Sequence, residues 1–358
     1  MGAMFNLSSQ TKKLTLASAL TLDSGSELDV VEIAYRTWGR LNARADNAIV
    51  VCHALTGSAD ADDWWEPLIG PGKAIDTDRY FVICSNTLGG CYGTTGPTSL
   101  APDGQWWSWR FPALTIRDQV RAQIRLADEL GVRGIHSVIG GSLGGLQALE
   151  WAWMDRARVK SVVSIAASGR HSAWCLAWNE AQRMALNSDP LYRDGDYTLD
   201  SPPVRGLAAA RAIAMVSYRS PQSLDERFSR KKSSEVRDPA AHASDDFAVR
   251  SWIRFHGDTL VNRFDAHSYR ILIDAMDTHD ISRDRGDYAE ALRQMTLPML
   301  IGSIDSDALY VPNEQLELLR HLPRAELLSI DSVHGHDGFL IDASIFSSSI
   351  AAFLQRCV

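Results

Sequence analysis

One stretch constrains this chain more than any other: His136-Ser137-Val138-Ile139-Gly140-Gly141-Ser142-Leu143-Gly144-Gly145-Leu146-Gln147-Ala148-Leu149-Glu150-Trp151. Val138-Ile139 reads as the end of a buried strand, and from Leu146 onward the residues are good helix formers. Between them lies Gly-x-Ser-x-Gly, with Ser142 at the apex. A strand that reverses sharply into a helix around a serine is a nucleophile elbow. The apex residue sits in a strained backbone conformation, so its neighbours must be small, and Gly140, Gly144 and Gly145 are expected to supply that freedom. The hydroxyl of Ser142 then stands above the sheet edge, and the Leu143 N–H at the helix N-terminus faces a reacting carbonyl. The competing reading is a glycine-rich turn of a nucleotide-binding fold. The elbow alone does not separate the two; its partners do.

A serine hydroxyl is a weak nucleophile until a base takes its proton, and the base needs an acid to orient it. In the strand–elbow–helix architecture the chain order is serine, acid, histidine. The apolar run Leu297–Gly302 leads into Ser303-Ile304-Asp305-Ser306-Asp307, so Asp305 and Asp307 are both candidates for the acid, with Asp307 preferred. After a last strand at Glu326–Ile330 comes Ser332-Val333-His334-Gly335-His336-Asp337-Gly338. His334 and His336 compete there. His336 is preferred because the flanking glycines fit a tight turn that aims its ring inward. His321 falls in a helical pattern and is expected at the surface. The second oxyanion donor should come from the loop after an early strand, where His53-Ala54-Leu55-Thr56-Gly57 stands, and the Leu55 N–H is the candidate. His53 itself is expected to be a hydrogen-bonding scaffold residue.

The first half of the chain alternates strand and helix. Val30–Tyr35 alternates as a strand, and Asn47–Cys52 and Tyr80–Ser85 are continuous apolar runs of the kind buried in parallel sheets. Thr115-Ile116-Arg117-Asp118 is an N-cap signal for a helix running to about Leu130, and Arg158–Ala167 centres on another strand. The segment from Asp62 to Lys73 reads as loop. Asn86–Pro97 is a Gly/Thr-rich loop that lacks the Gly-Lys-Ser/Thr ending of a phosphate cradle. From Gly169 to Asp287 the texture changes to Ala-, Arg- and Asp-rich helical patterns, with a charged and solvated run at Arg227–Arg237. A structureless loop of that length does not suit a compact domain, so residues 169–287 are expected to be an inserted helical cap. Residues 5–168 and 288–358 then form an α/β core with a mostly parallel sheet, helices on both faces and a closing helix at Ile341–Leu354.

Composition excludes several classes. The net charge is −8 and no basic block occurs, which argues against a nucleic-acid partner. The five cysteines form no C-x-x-C pair and are odd in number, which suggests reduced thiols and a cytoplasmic home. No metal-ligand spacing appears. No apolar run approaches the roughly 18 residues of a membrane span, and no secretory signal is visible. Met1-Gly2-Ala3 is expected to be a cloning remnant ahead of Met4.

Taken together, several stretches resemble the homoserine O-acetyltransferases of the α/β-hydrolase superfamily. They are His53–Gly57, Asn86–Pro97, Ile116-Arg117-Asp118, Gly140–Trp151, Ala210–Ile213, Ser217-Tyr218-Arg219-Ser220, Arg263–Tyr269, Met276–Asp280, Ser306–Tyr310 and Gly335–Leu340, in that order along nearly the whole chain. The resemblance implies the triad Ser142, Asp307 and His336. It implies that Arg211 holds the carboxylate and Asp337 the ammonium of an amino-acid acceptor, with Tyr218 lining the same site. One fixed cation and one fixed anion suit a zwitterion, and arginine offers a bidentate fork. The implied reaction is ping-pong transfer of acetyl from acetyl-CoA to L-homoserine in methionine synthesis, with no cofactor, by a homodimer joined through its caps. Leu143 and Leu146 stand where many members of that family carry Met, residues Thr87, Tyr92 and Thr94 vary a loop near the expected acyl-donor path, and Trp106-Trp107-Ser108-Trp109 is not a family feature. Serine as acceptor, succinyl-CoA as donor, an esterase and a non-catalytic binding protein are the alternatives.

Overall fold

The structure is a computed structural model and describes residues 5, 7–236 and 246–357. Eight strands form one sheet: β1 (Lys12–Thr15), β2 (Glu32–Trp38), β3 (Ala48–Cys52), β4 (Phe81–Ser85), β5 (Ile135–Gly141), β6 (Val162–Ile165), β7 (Met299–Ile304) and β8 (Ala325–Ile330). Their spatial order is β1-β2-β4-β3-β5-β6-β7-β8. β2 runs antiparallel to both its neighbours, and the other pairings are parallel.

The apolar runs of the central strands are continuous because both faces are covered. Val50, Val138, Val162 and Ile301 belong to one core, packed under α2 (Ile116–Glu129) and α3 (Leu143–Met154). Ile49, Val51, Ile139, Val163 and Leu300, one residue out of phase, belong to a second core with Trp65, Phe339, Ile350 and Phe353. This is the period-2 alternation of a strand applied to a sheet with two buried faces. At the start of α2, Thr115 accepts from the Asp118 N–H while the Asp118 carboxylate accepts from the Thr115 N–H, a complete capping box.

Between β6 and β7 lies a run of helices: α4 (Ala173–Asn187), α5 (Val204–Tyr218), α6 (Pro221–Arg227), α7 (Ala248–Val261), α8 (Ala266–Asp277) and α9 (Tyr288–Arg293). Chain entry and exit of α4–α8 meet at a narrow neck, where His171 N–H donates to His279 O and Ile281 N–H donates to Gly169 O, each at 2.8 Å. The α10 helix (Pro312–His321) links β7 to β8.

Three expectations need correction. The Asp62–Lys73 stretch begins with a helical turn, α1 (Ala61–Trp64), because buried Ala61 and Trp65 anchor it against the sheet. The expected closing helix is two pieces, α11 (Gly338–Ile341) and α12 (Ser347–Arg356), so that Phe339 and Phe346 can both turn into the core. The charged run from Arg227 is not uniformly solvated: Phe228 is buried against Trp252. Arg237 at its end and the suggested remnant Met1-Gly2-Ala3 lie outside the described residues.

Candidate active site

Ser142 follows β5 directly and precedes the first residue of α3, with φ 57° and ψ −125°. A positive φ is strained for a residue with a side chain. Here the serine itself carries the strain, and none of Gly140, Gly144 or Gly145 has a positive φ. Their role is space, not freedom. A Cβ on Gly144 would lie 2.0 Å from the carbonyl oxygen of Cys52, so the end of β3 presses on the first turn of α3. That contact brings the loop carrying Leu55 beside the elbow. Leu143, at the first position of α3, offers one of the helix-end N–H groups that have no intrahelical acceptor.

His336 lies in a short 3₁₀ turn, Gly335–Asp337, after β8. Its Nε2 is 2.8 Å from Ser142 Oγ and its Nδ1 is 2.7 Å from Asp307 Oδ2. The other oxygen of Asp307 accepts from the main-chain N–H groups of Leu309 (2.8 Å) and Tyr310 (3.0 Å). Asp305 instead is exposed and accepts from the Ser332 N–H, and His334 faces Arg219, so the choice between the paired candidates falls to Asp307 and His336. Three aromatic rings surround the imidazole: Tyr310 and Phe339 with centroids at 5.4 Å and Tyr218 at 5.6 Å. Burial disfavours the imidazolium, but the charge of Asp307, its hydrogen bond and the nearby Asp337 outweigh it and hold His336 above its ordinary pKa.

His53 does not reach this line. Its Nδ1 is 2.8 Å from Ala54 O, and its Nε2 accepts from the Thr87 N–H at 3.1 Å, an assignment that fixes the proton on Nδ1. Burial lowers its pKa to about 4, so it is a neutral brace. Behind it runs a chain of buried amides. Gln147 Nε2 donates to Gln119 Oε1 at 2.8 Å and approaches Thr87 Oγ1 at 3.5 Å, Gln123 Nε2 donates to Gln147 Oε1 at 3.0 Å, and Trp151 Nε1 donates to Gln123 Oε1 at 2.7 Å. This network ties the β3 and β4 loops to the helix that follows the nucleophile, and sequence reading did not foresee it. Periodicity marks these glutamines only as interruptions of an apolar face.

Arg211 and Tyr218 both lie on α5, and the Arg211 guanidinium stands 5.4 Å from the centre of the Tyr218 ring. Asp337, next to His336, feels both Arg211 and Arg219. The Tyr218 hydroxyl bonds that of Tyr269, and desolvation raises the pKa of both. The structure therefore brings Ser142, Asp307, His336, Tyr218, Arg211 and Asp337 to one place. It adds Arg219, which pairs with Asp337, and Arg263, whose guanidinium donates to Thr56 O and Tyr92 Oη at 2.8 Å each. Both stand in motifs that the sequence displays, but nothing in their spacing tells which partner each takes. Among the described residues no group of three or more His, Cys, Asp or Glu side chains is arranged to hold a metal ion, and no helix is long and apolar enough to cross a membrane.

A buried serine on a strand–helix elbow, in line with a histidine and an aspartate from the last two strand ends, defines the α/β-hydrolase class. The profile of the alpha/beta hydrolase fold matches residues 47–343. The chain is 51% identical to a homoserine O-acetyltransferase of Nostoc punctiforme over 350 residues, 96% of each chain. Among solved structures, the homoserine O-acetyltransferase from Bacillus anthracis superposes with a TM-score of 0.88 at 27% identity, covering 97% of both chains. Esterase E22 superposes with a TM-score of 0.85 at 27% identity, covering 96% of this chain and 100% of its own. The chain belongs to the homoserine O-acetyltransferase family.

Proposed function

We propose that this protein transfers the acetyl group of acetyl-CoA to the hydroxyl of L-homoserine through an acetyl-Ser142 intermediate. The observation that carries the reading is the wall shared by the triad and a fixed charge pair. Asp337 adjoins His336, and Arg211 stacks on the Tyr218 ring that itself packs on His336. A hydrolase of simple esters has no use for one cation and one anion at that spot, whereas a zwitterionic acceptor needs both.

In the first half-reaction His336 Nε2 takes the proton of Ser142 as Oγ attacks the thioester carbonyl. The Leu143 and Leu55 N–H groups receive the developing oxyanion, an effect of roughly 3 kcal/mol per donor in comparable sites. Collapse breaks the C–S bond, and the departing thiolate takes the proton from His336. In the second half the acceptor hydroxyl gives its proton to His336 and attacks the acetyl carbonyl. Ser142 leaves with that proton, and O-acetylhomoserine is released. Water would divert the intermediate, so the acceptor must be held at high effective concentration.

Esterase activity is the second reading, because esterase E22 superposes nearly as well as the acetyltransferase does. One experiment separates them and also resolves the donor. Intact mass is recorded after acetyl-CoA, then after succinyl-CoA, and turnover of the acyl-enzyme is followed with water, serine and homoserine. Acetylation that survives Ser142→Ala, or deacylation equally fast with and without homoserine, would overturn the proposal. Homodimerisation through the helical insertion is also proposed. It is supported by exposed Trp174, Leu176 and Met184 on α4 and Val204 and Val216 on α5, and it is checked by mass in solution. All five cysteines are free thiols, which suits a cytoplasmic enzyme.

A further inference from the structure

Asp337 already has a partner. Its Oδ2 lies 3.1 Å from Arg219 Nε, with side-chain exposures of 18% and 13% for the two residues. The Nε–H is not aligned for a hydrogen bond, so the contact is one of charge. The other oxygen, Oδ1, takes no part in that contact. Arg219 is held from outside: its guanidinium stands 5.6 Å over the Trp252 ring, and Nη1 is 3.5 Å from His334 Nδ1. The two segments that present the pair are pressed together backbone to backbone. Gly335 has φ +68°, and a Cβ there would lie 2.6 Å from Ser220 N and 2.8 Å from Arg219 C. Ser220 Oγ donates to Val333 O at 2.5 Å across the same seam.

The charges near Asp337 are Arg219, Arg211, His336 and Asp307, and Arg219 in turn faces Arg227 and Asp342. Asp307 is matched to His336. Two guanidinium groups then face one carboxylate, and the site is built with a surplus positive charge. An amino-acid acceptor would place its carboxylate on Arg211, while its ammonium would have to share Asp337 with Arg219.

We infer that Arg219 is a positioning residue for the acceptor: its guanidinium meets one oxygen of the Asp337 carboxylate and leaves the other, Oδ1, to the ammonium group. This rests on the proposed role of Asp337 in holding that ammonium. The physical need is plain. Burial raises the pKa of Asp337, and the charge of Arg219 is the largest influence opposing it. A protonated Asp337 attracts no cation, and it would also stop supporting the imidazolium of His336.

The test uses Arg219→Gln and Arg219→Lys in the full chain, with the two half-reactions measured apart. Acetylation of Ser142 by acetyl-CoA, followed by intact mass, should change much less than the homoserine step, because Asp337 is the smallest of the influences that support the His336 imidazolium. The homoserine KM of Arg219→Gln should rise about tenfold or more at acid pH, and the excess should shrink as the pH is raised and Asp337 ionises unaided. The acid limb of kcat/KM for homoserine should move to higher pH. Arg219→Lys should restore the limb but only part of the KM, since lysine supplies charge without the planar fork. Combined with Asp337→Asn, either Arg219 variant should do little further harm. Equal losses in both half-reactions, an unmoved acid limb, or fully additive losses in the double variant would each overturn the inference. If Arg219→Gln does not fold, the lysine variant and its cycle with Asp337→Asn decide the matter. A native protein that acetylates Ser142 but saturates with no amino-acid alcohol overturns the parent reading, and this one with it.

Discussion

Asp307→Asn exchanges one oxygen for an amide nitrogen, and it should slow acetylation of Ser142 by roughly a thousand- to ten-thousandfold, about 4–5.5 kcal/mol of barrier. The reason lies in how Asp307 spends its oxygens. Oδ1 accepts two main-chain hydrogen bonds, from Leu309 at 2.8 Å and Tyr310 at 3.0 Å, and Oδ2 faces His336 Nδ1 at 2.7 Å. An asparagine has one acceptor and one donor. With its NH₂ toward Leu309 and Tyr310, donors would face donors in a buried site, at about 1–3 kcal/mol for each group left unpaired. The opposite orientation keeps both main-chain bonds and turns the NH₂ on His336 Nδ1. The imidazole must then accept at Nδ1 and carry its proton on Nε2, aimed at Ser142 Oγ 2.8 Å away. In that tautomer it cannot take the serine's proton. Because the main chain stays satisfied, unfolding free energy should move by about 1 kcal/mol or less. Rapid-quench intact-mass kinetics with acetyl-CoA, alongside denaturant unfolding, measure both quantities. Retention of more than about a tenth of the native acetylation rate, or a loss of rate that merely follows the folded fraction, would refute the tautomer argument.

Two further outcomes follow from the same geometry. His336 must be neutral to act as base and its pKa is raised above the ordinary 6.5, so kcat/KM for acetyl-CoA should fall with decreasing pH with a midpoint above that value; a pH–rate profile with a lower midpoint contradicts the geometry. Gly144→Ala would set a methyl 2.0 Å from the Cys52 carbonyl oxygen, forcing β3 and α3 apart at a cost of about 3 kcal/mol, at the upper end of overpacking; a urea midpoint shift and loss of acetylation should appear together.

How much of this was readable beforehand depends on what kind of signal each feature leaves. Ser142, Asp307 and His336 sit at strand ends, and strand ends are marked by local apolar runs and by chain order, so residues far apart in the chain could be matched without knowing the fold. Leu55 and Leu143, proposed as oxyanion donors, would act through main-chain N–H groups, which have no residue signature; only the positions of their loops could point to them. Arg211 and Asp337 stood out only through the family resemblance, since a single charge on a helix or turn is most often a surface group. Arg219 was unreadable as a partner of Asp337, because that contact depends on how α5 and the 3₁₀ turn after β8 press together. The same holds for Gln119, Gln123 and Gln147, whose pairing across two helices cannot be seen from spacing along either one. The break between α11 and α12 was missed for a related reason: helical propensity runs through Ile341–Leu354, and tertiary packing of Phe346 overrides it.

The neck at residues 169–171 and 279–281 has a consequence for how such a chain can change. The two main-chain bonds there, His171 to His279 and Ile281 to Gly169, make the ends of the helical insertion near neighbours. For the sheet, the whole of α4–α8 is then equivalent to a short hairpin: whatever is spliced between those ends, the closure that the core must maintain is the same, and the entropic cost of a longer loop grows only slowly with its length. The sheet, the elbow and the triad can therefore stay fixed while the insertion lengthens, shortens or swaps its helices. Arg211, within α5, and Arg219, at its C-terminal end, lie on the far side of that neck. The two sides of the neck can therefore vary separately except where they meet, as Ser220 meets Val333 and Arg263 meets Thr56.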